Sequence, residues 1–126
     1  MGEDKIILFL DDDSHHAAIM YQRMSPKDRN RTIWATTVAE AISILSDYTS
    51  RLDRVWLDHD LGGKQYVHSG REDCGMEVIR WLEKQSPLNY SECHFIMHSW
   101  NLPAAKRMAQ RLNRIGYSVT QVPFGM

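Results

Sequence analysis

Apolar positions along the chain come in two alternating kinds of run. "KIILFL" (Lys5 to Leu10) is a continuous apolar stretch of strand length, typical of a strand buried on both faces. "SHHAAIMYQRM" follows as a helix candidate, and "RTIWAT" is β-branched and aromatic, which favours a strand. In "TVAEAISILSDY" the residues Val38, Ala41, Ile42, Leu45 and Tyr48 form the apolar stripe of an amphipathic helix. Thr37 with Glu40 three residues on predicts a capping box at its start. "DRVWLD" is the next strand. A loop of roughly 15 residues follows, "HDLGGKQYVHSGREDC", of a length that often signals function. "GMEVIRWLEKQ" reads as a helix with Val78, Ile79 and Leu82 on one face, and "CHFIMHS" as a strand. "NLPAAKRMAQRLNRIG" is helical, with Asn101 as cap, Pro103 in the first turn and Gly116 at the end. "YSVTQVPF" makes a short final strand.

This β-α alternation predicts an α/β domain: a parallel sheet between helices on both faces, joined by right-handed crossovers. The 126 residues suit a single domain spanning 1–126, with no repeat or linker. Hydrophobic residues at 43% and charged residues at 25% are ordinary for a globular chain. A net charge of −1 gives no bulk attraction to duplex DNA or an anionic membrane, so neither is expected as a partner. Cys74 and Cys93 form no CxxC pair and read as reduced, small apolar or loop residues. The apolar run near the start is too short for a signal peptide, and no run approaches the ~18 residues of a membrane span. A cytoplasmic location is the resulting expectation.

In a sheet of this kind ligands bind beyond the carboxyl ends of the strands. Those ends carry the chemistry here. The first strand ends in Asp11, Asp12 and Asp13, the third in Asp58, His59 and Asp60, and the fourth in His98, Ser99, Trp100 and Asn101. Two carboxylates 4 Å apart repel by ~4 kcal/mol at an effective dielectric of 20, so a bound cation, a protonated acid or a basic partner must relieve them. Oxygen donors suit Mg²⁺, or Mn²⁺ in its place, and the candidate ligands are Asp11, Asp12, Asp58 and Asp60. Asp13 serves equally as a helix cap.

His59 and His98, with Asp58, are the candidate catalytic groups, because two imidazoles can divide the work of a base and an acid. Ser99 could donate to a phosphate oxygen. Asn101 could cap the following helix or help its N-terminus meet an anion. Lys64 in the glycine-containing loop could supply a cation, and Trp100 could stack on a base. Strand alternation sets one condition: with extended geometry, His59 and His98 face away from Asp58 and Ser99. His15, His16, His68 and His94 have no comparable placement, and Trp34, Trp56 and Trp81 read as core.

"LFLDDDSHH", "VWLDHDLGG" and "IMHS" together resemble the receiver domain of two-component response regulators, with Asp58 at the phospho-accepting position and Ser99 at the hydroxyl position. The resemblance implies a receiver/flavodoxin-like three-layer sandwich whose five parallel strands run in the order 2-1-3-4-5. Two departures set the chain apart. Val122 precedes Pro123 where receivers carry a lysine, and the last helix of receivers is missing before Met126. "LDHDLGG" with "HSWNLPAAKRM" is more closely similar to the cyclic-phosphate processing receiver domain family.

That likeness implies action on a cyclic phosphate, so the first expectation is a metal-assisted phosphoesterase acting on a cyclic-phosphate nucleotide or a cyclic-phosphate RNA end. A divergent receiver phosphorylated on Asp58 and a non-catalytic module binding a nucleotide or a partner stand as alternatives, because function lives in the site rather than the fold.

Overall fold

The computed structural model describes residues 5–61, 70–71 and 73–122. Five strands, β1 (Ile6–Leu10), β2 (Thr32–Ala35), β3 (Leu52–Leu57), β4 (His94–Met97) and β5 (Ser118–Gln121), form one sheet in the order β2-β1-β3-β4-β5. Every pairing is parallel. The expected architecture and strand order are therefore present. The helices are α1 (Ser14–Arg23), α2 (Pro26–Asn30), α3 (Val38–Asp47), α4 (Gly75–Glu83) and α5 (Leu102–Arg114), with a short 3-10 turn over Pro87–Tyr90.

Local sequence explains most of the helix starts. Asp13 caps α1 by accepting from the amides of His15 and His16, so it is a cap. Thr37 accepts from the Glu40 amide at α3, while the Glu40 carboxylate reaches back to the Thr36 amide at 3.0 Å. That is the expected capping box displaced by one residue. Asn101 caps α5, and Gly116 beyond its end takes a positive φ of 99°. The short α2 was not expected. Ser25 accepting from the Asp28 amide, with Pro26 in the first turn, is the signal that marks it.

Strand alternation sends side chains to two cores. Leu8, Leu10, Val55, Leu57, Phe95 and Met97 point to the face covered by α3, α4 and α5, where Leu45, Ile79, Met108 and Leu112 meet them. Phe9 points to the opposite face, against Ala17, Met20 and Met24 of α1, with Trp56 partly buried beside them. Trp56 and Trp81 pack half-buried against these cores. Trp34 corrects the expectation of a core residue: it lies on the edge strand β2 and is 36% exposed. Cys74 and Cys93 are both buried and outside any disulfide, as expected. No helix among the described residues is long and apolar enough to cross a membrane.

Candidate functional site

The site follows from the strand register. Leu10 pairs with Leu57, and Leu57 with Met97. One residue further on, the ladder continues: the Asp58 amide donates to the Leu10 carbonyl at 3.1 Å and the His98 amide to the Leu57 carbonyl at 3.1 Å. Asp11, Asp58 and His98 therefore occupy equivalent positions on adjacent parallel strands, and all three share the face of Phe9 and Trp56. Potential ligand atoms of the three lie within 4.8 Å of one another. The His98 ring stacks on Phe9 at 5.0 Å between centroids and lies tilted beside Trp56.

This register corrects the expectation for His98. Asp58 is its lateral neighbour and shares its face, and Ser99, past the end of β4, also reaches Asp58. For His59 the alternation argument holds. It follows Asp58 just past the end of β3 and points the other way, to Cys74 and Asn101 at the starts of α4 and α5. His59 is fully buried, with Nδ1 2.7 Å from Asp60 Oδ1. Burial works against its charged form, but the Cys74 thiol and the Asp60 carboxylate outweigh it and raise the imidazole pKa.

The two central acids are driven apart in protonation. Burial raises the pKa of Asp11, yet hydrogen bonds from His98, the Asp13 amide and His16 outweigh this and hold it below the usual carboxylate range. The distances are 3.1 Å from His98 Nε2, 2.9 Å from the Asp13 amide and 2.9 Å from His16 Nδ1. Asp58 is pushed up to about 7 by burial and then by the Asp11 carboxylate, against the pull of Ser99 and the His59 amide. His98, fully desolvated, is held below the ordinary imidazole range despite Asp11. At neutral pH Asp11 is ionised, Asp58 shares a proton with solvent, and His98 is neutral.

The other predicted residues divide. Ser99 is buried and hydrogen-bonds Asp58, while its Oγ accepts from the Asn101 amide at 3.1 Å. Asn101 is committed within the protein: Oδ1 accepts from the Ala104 amide at 3.3 Å, and Nδ2 donates to Asp60 Oδ1 at 3.1 Å. Asp60 thus faces His59 and Asn101 rather than the acidic pair. Asp12 is half-buried. Among the described residues, the three-donor group joins Asp11 and Asp58 to His98. Trp100 is 53% exposed beside the pocket. Lys64 and His68 lie outside the described residues.

One residue was missed from sequence. His16 sits in the first turn of α1, and its side chain is 26% exposed while contacting Asp11. The Asp13 cap could have located it, since residues three apart across a helix start share a face.

A second device seats the acids. The Gly75 amide donates to the His59 carbonyl at 2.8 Å, docking the start of α4 on the Asp58–His59 peptide. A Cβ at Gly75 would lie 1.9 Å from the Asp58 carbonyl oxygen, so only glycine permits this approach.

Two carboxylates and one imidazole are a donor set that fits a divalent cation. No curated protein matches the chain at a significant level. Solved structures match its fold. The signal receiver domain of a protein described as a Luxo repressor, from Vibrio parahaemolyticus, superposes with a TM-score of 0.61 at 16% identity, covering 98% of this chain and 81% of that one. The Mn²⁺-bound response regulator Rcp1 gives a TM-score of 0.59 at 16% identity over 94% of this chain and 80% of its own. The phosphorylated cyanobacterial phytochrome response regulator RcpA gives 0.59 at 16% identity over 96% and 81%. The sequence profile of the cyclic-phosphate processing receiver domain matches residues 6–114, nearly the whole chain. With its acids set at the ends of β1 and β3 and a histidine beside them at the end of β4, the chain belongs to the cyclic-phosphate processing receiver domain family.

Proposed function

We propose that the chain is a metal-assisted phosphoesterase that opens a cyclic phosphate, carried by a small nucleotide or by the end of an RNA. The observation that carries this reading is the buried Asp11–Asp58–His98 group at the carboxyl edge of the sheet. The match to a family described by cyclic-phosphate processing supports the substrate class. The Mn²⁺ of the Rcp1 relative supports a divalent ion, Mg²⁺ or Mn²⁺, in the acidic pocket.

In this reading Asp11 and Asp58 hold the ion. When bound, it supplies charge neutralisation for the phosphate oxygens and acidifies the attacking water. Ser99 orients the Asp58 carboxylate and offers its hydroxyl to a phosphate oxygen. His16, partly exposed at the pocket mouth, is placed to move a proton to or from the reacting oxygens. His98 contacts the acids directly, whereas His59 acts as a positioning residue by holding Asp60 and the start of α5. Trp100 stacks on a base beside the pocket.

A phosphorus NMR screen tests the reading. Protein is incubated with 2′,3′-cyclic and 3′,5′-cyclic nucleotides and a cyclic-phosphate-ended oligonucleotide, with Mg²⁺, Mn²⁺ or EDTA. Ring opening that requires the ion, falls by ~10²–10⁴-fold in His16→Ala and collapses in Asp58→Ala and His98→Ala is expected. No opening of any compound would sink the enzyme reading. A receiver accepting a phosphoryl group on Asp58 is the second reading, favoured by the contact of Ser99 with that carboxylate. Labelling by a small phosphodonor, lost in Asp58→Asn, would identify it.

A further inference from the structure

We infer that His98 is itself a ligand to the ion, so that the pocket is a mixed nitrogen–oxygen site selective for first-row transition cations over Mg²⁺. This rests on the metal reading above and deepens it.

Three features lead there. First, the register makes His98 the third member of a row: Asp11, Asp58 and His98 stand side by side on β1, β3 and β4, with donor atoms within 4.8 Å of one another. Asp12 and Asp60 are not in that row. Second, the imidazole is oriented before any ion arrives. Its ring is 1% exposed, stacked on Phe9 at 5.0 Å, and its Nε2 lies 3.1 Å from Asp11 Oδ2. A ligand fixed by packing loses little freedom on binding a cation. Third, Asp11 and Asp58 set two carboxylates in one buried pocket, so the pocket favours a cation.

The imidazole nitrogen decides which cation. Mg²⁺ is a hard ion that takes oxygen donors and dehydrates reluctantly. Imidazole suits the later divalent ions, whose affinity for nitrogen and oxygen sites rises along the first row. For Nε2 to hold a cation, the neutral imidazole would have to carry its single proton on Nδ1 rather than on the Nε2 that now meets Asp11. His98 then is not the group that transfers a proton to substrate, which leaves that work to His16.

The test is spectroscopic and needs no turnover. Purified protein is loaded with Mn²⁺ alone and examined by pulsed electron paramagnetic resonance, first unlabelled and then with ¹⁵N-histidine. Calorimetry compares Mn²⁺, Co²⁺ and Mg²⁺. The expected result is a directly coordinated histidine nitrogen whose coupling changes isotope on labelling and disappears in His98→Gln. Mn²⁺ and Co²⁺ should bind tighter than Mg²⁺ by on the order of tenfold or more. Ion binding lost in Asp58→Asn, but with no histidine coupling and no preference over Mg²⁺, would overturn this inference and leave the metal reading intact. Coupling that survives in His98→Gln but vanishes in His16→Gln would overturn the assignment to His98. No binding of any ion would overturn both. Should the His98→Gln chain fail to fold, coupling retained in His16→Gln still supports His98, and coupling lost there overturns the assignment.

Discussion

Two clusters of charge sit toward opposite ends of the same sheet, and they are built by opposite rules. Toward the amino ends of the strands, Arg31 bridges Asp28 at 2.8 Å and Asp53 at 3.0 Å, while Arg54 reaches Asp28 at 2.9 Å. Each acid there meets a guanidinium near solvent. Hydrogen bonds from Arg54 and Arg31 hold the Asp28 carboxyl below its usual range. At the carboxyl ends, Asp11 and Asp58 are buried, face each other, and meet imidazoles instead. Charges that serve only the fold are compensated and left wet. The charges of the candidate site are desolvated and left in mutual repulsion, the pattern by which perturbed carboxyls mark sites.

The largest break in this comparison is expected from Gly75→Ala. A methyl 1.9 Å from the Asp58 carbonyl oxygen cannot be absorbed by a side-chain rotation, because the obstacle is backbone. Destabilisation at or beyond the upper end of the ~1–3 kcal/mol typical of overpacking is expected from chemical denaturation, together with weaker ion binding. Wild-type stability in that variant would show that α4 does not seat the acids.

Asp58→Asn comes next, and its sign distinguishes the two ends. Below the unfolded carboxyl value Asp58 is protonated in both states. As pH rises from there through about 7, the unfolded chain releases a proton that the folded chain retains, so stability is progressively lost. The shift from 3.8 to about 7 corresponds to roughly 4 kcal/mol above pH 7. Thermal melts without ion should therefore show Asp58→Asn stabilising at pH 8 and nearly neutral at pH 4. The same variant should lose the melting increase that Mn²⁺ gives the parent. A variant less stable than the parent at pH 8 would mean that the acids are not in repulsion.

Trp100→Ala touches the rim alone. With the ring 53% exposed, melting should be unchanged, while nucleotide binding measured by calorimetry should weaken by ~1–3 kcal/mol if the ring stacks on a base. Unaltered affinity would remove Trp100 from the site.

The smallest effect belongs to the amino end. Arg54→Ala should cost little stability, and raising salt should shrink the difference, as for an ion pair partly open to solvent. Because the Asp28 carboxyl is lowered, what this cluster contributes is present above the ordinary carboxylate value and is lost as pH falls, the reverse of Asp58. A large, salt-independent loss would erase the distinction between the two ends.

Much of this was legible in the sequence for a physical reason. Apolar runs bounded by acids mark both the strands and their carboxyl ends, so Asp11, Asp58 and His98 could be named as neighbours before their geometry was known. Which face each would take was not legible, because alternation within a strand says nothing of register between strands. Only the pairing of Leu10, Leu57 and Met97 brings His98 beside Asp58 while His59 turns away. Asn101 could be read as a cap, but its second bond, to Asp60, depends on a tertiary contact. Trp34 was misplaced because strand propensity cannot tell an edge strand from a central one.

The parallel pairing has one more consequence. Asp11 and His98 touch across 87 residues of chain, with Asp58 between them in sequence and in space. No contiguous fragment shorter than the stretch from Asp11 to His98 contains the pocket. The proposed ion would clasp the three central strands β1, β3 and β4, and two pieces of the chain cut between β3 and β4 would recover its affinity only by reassembling.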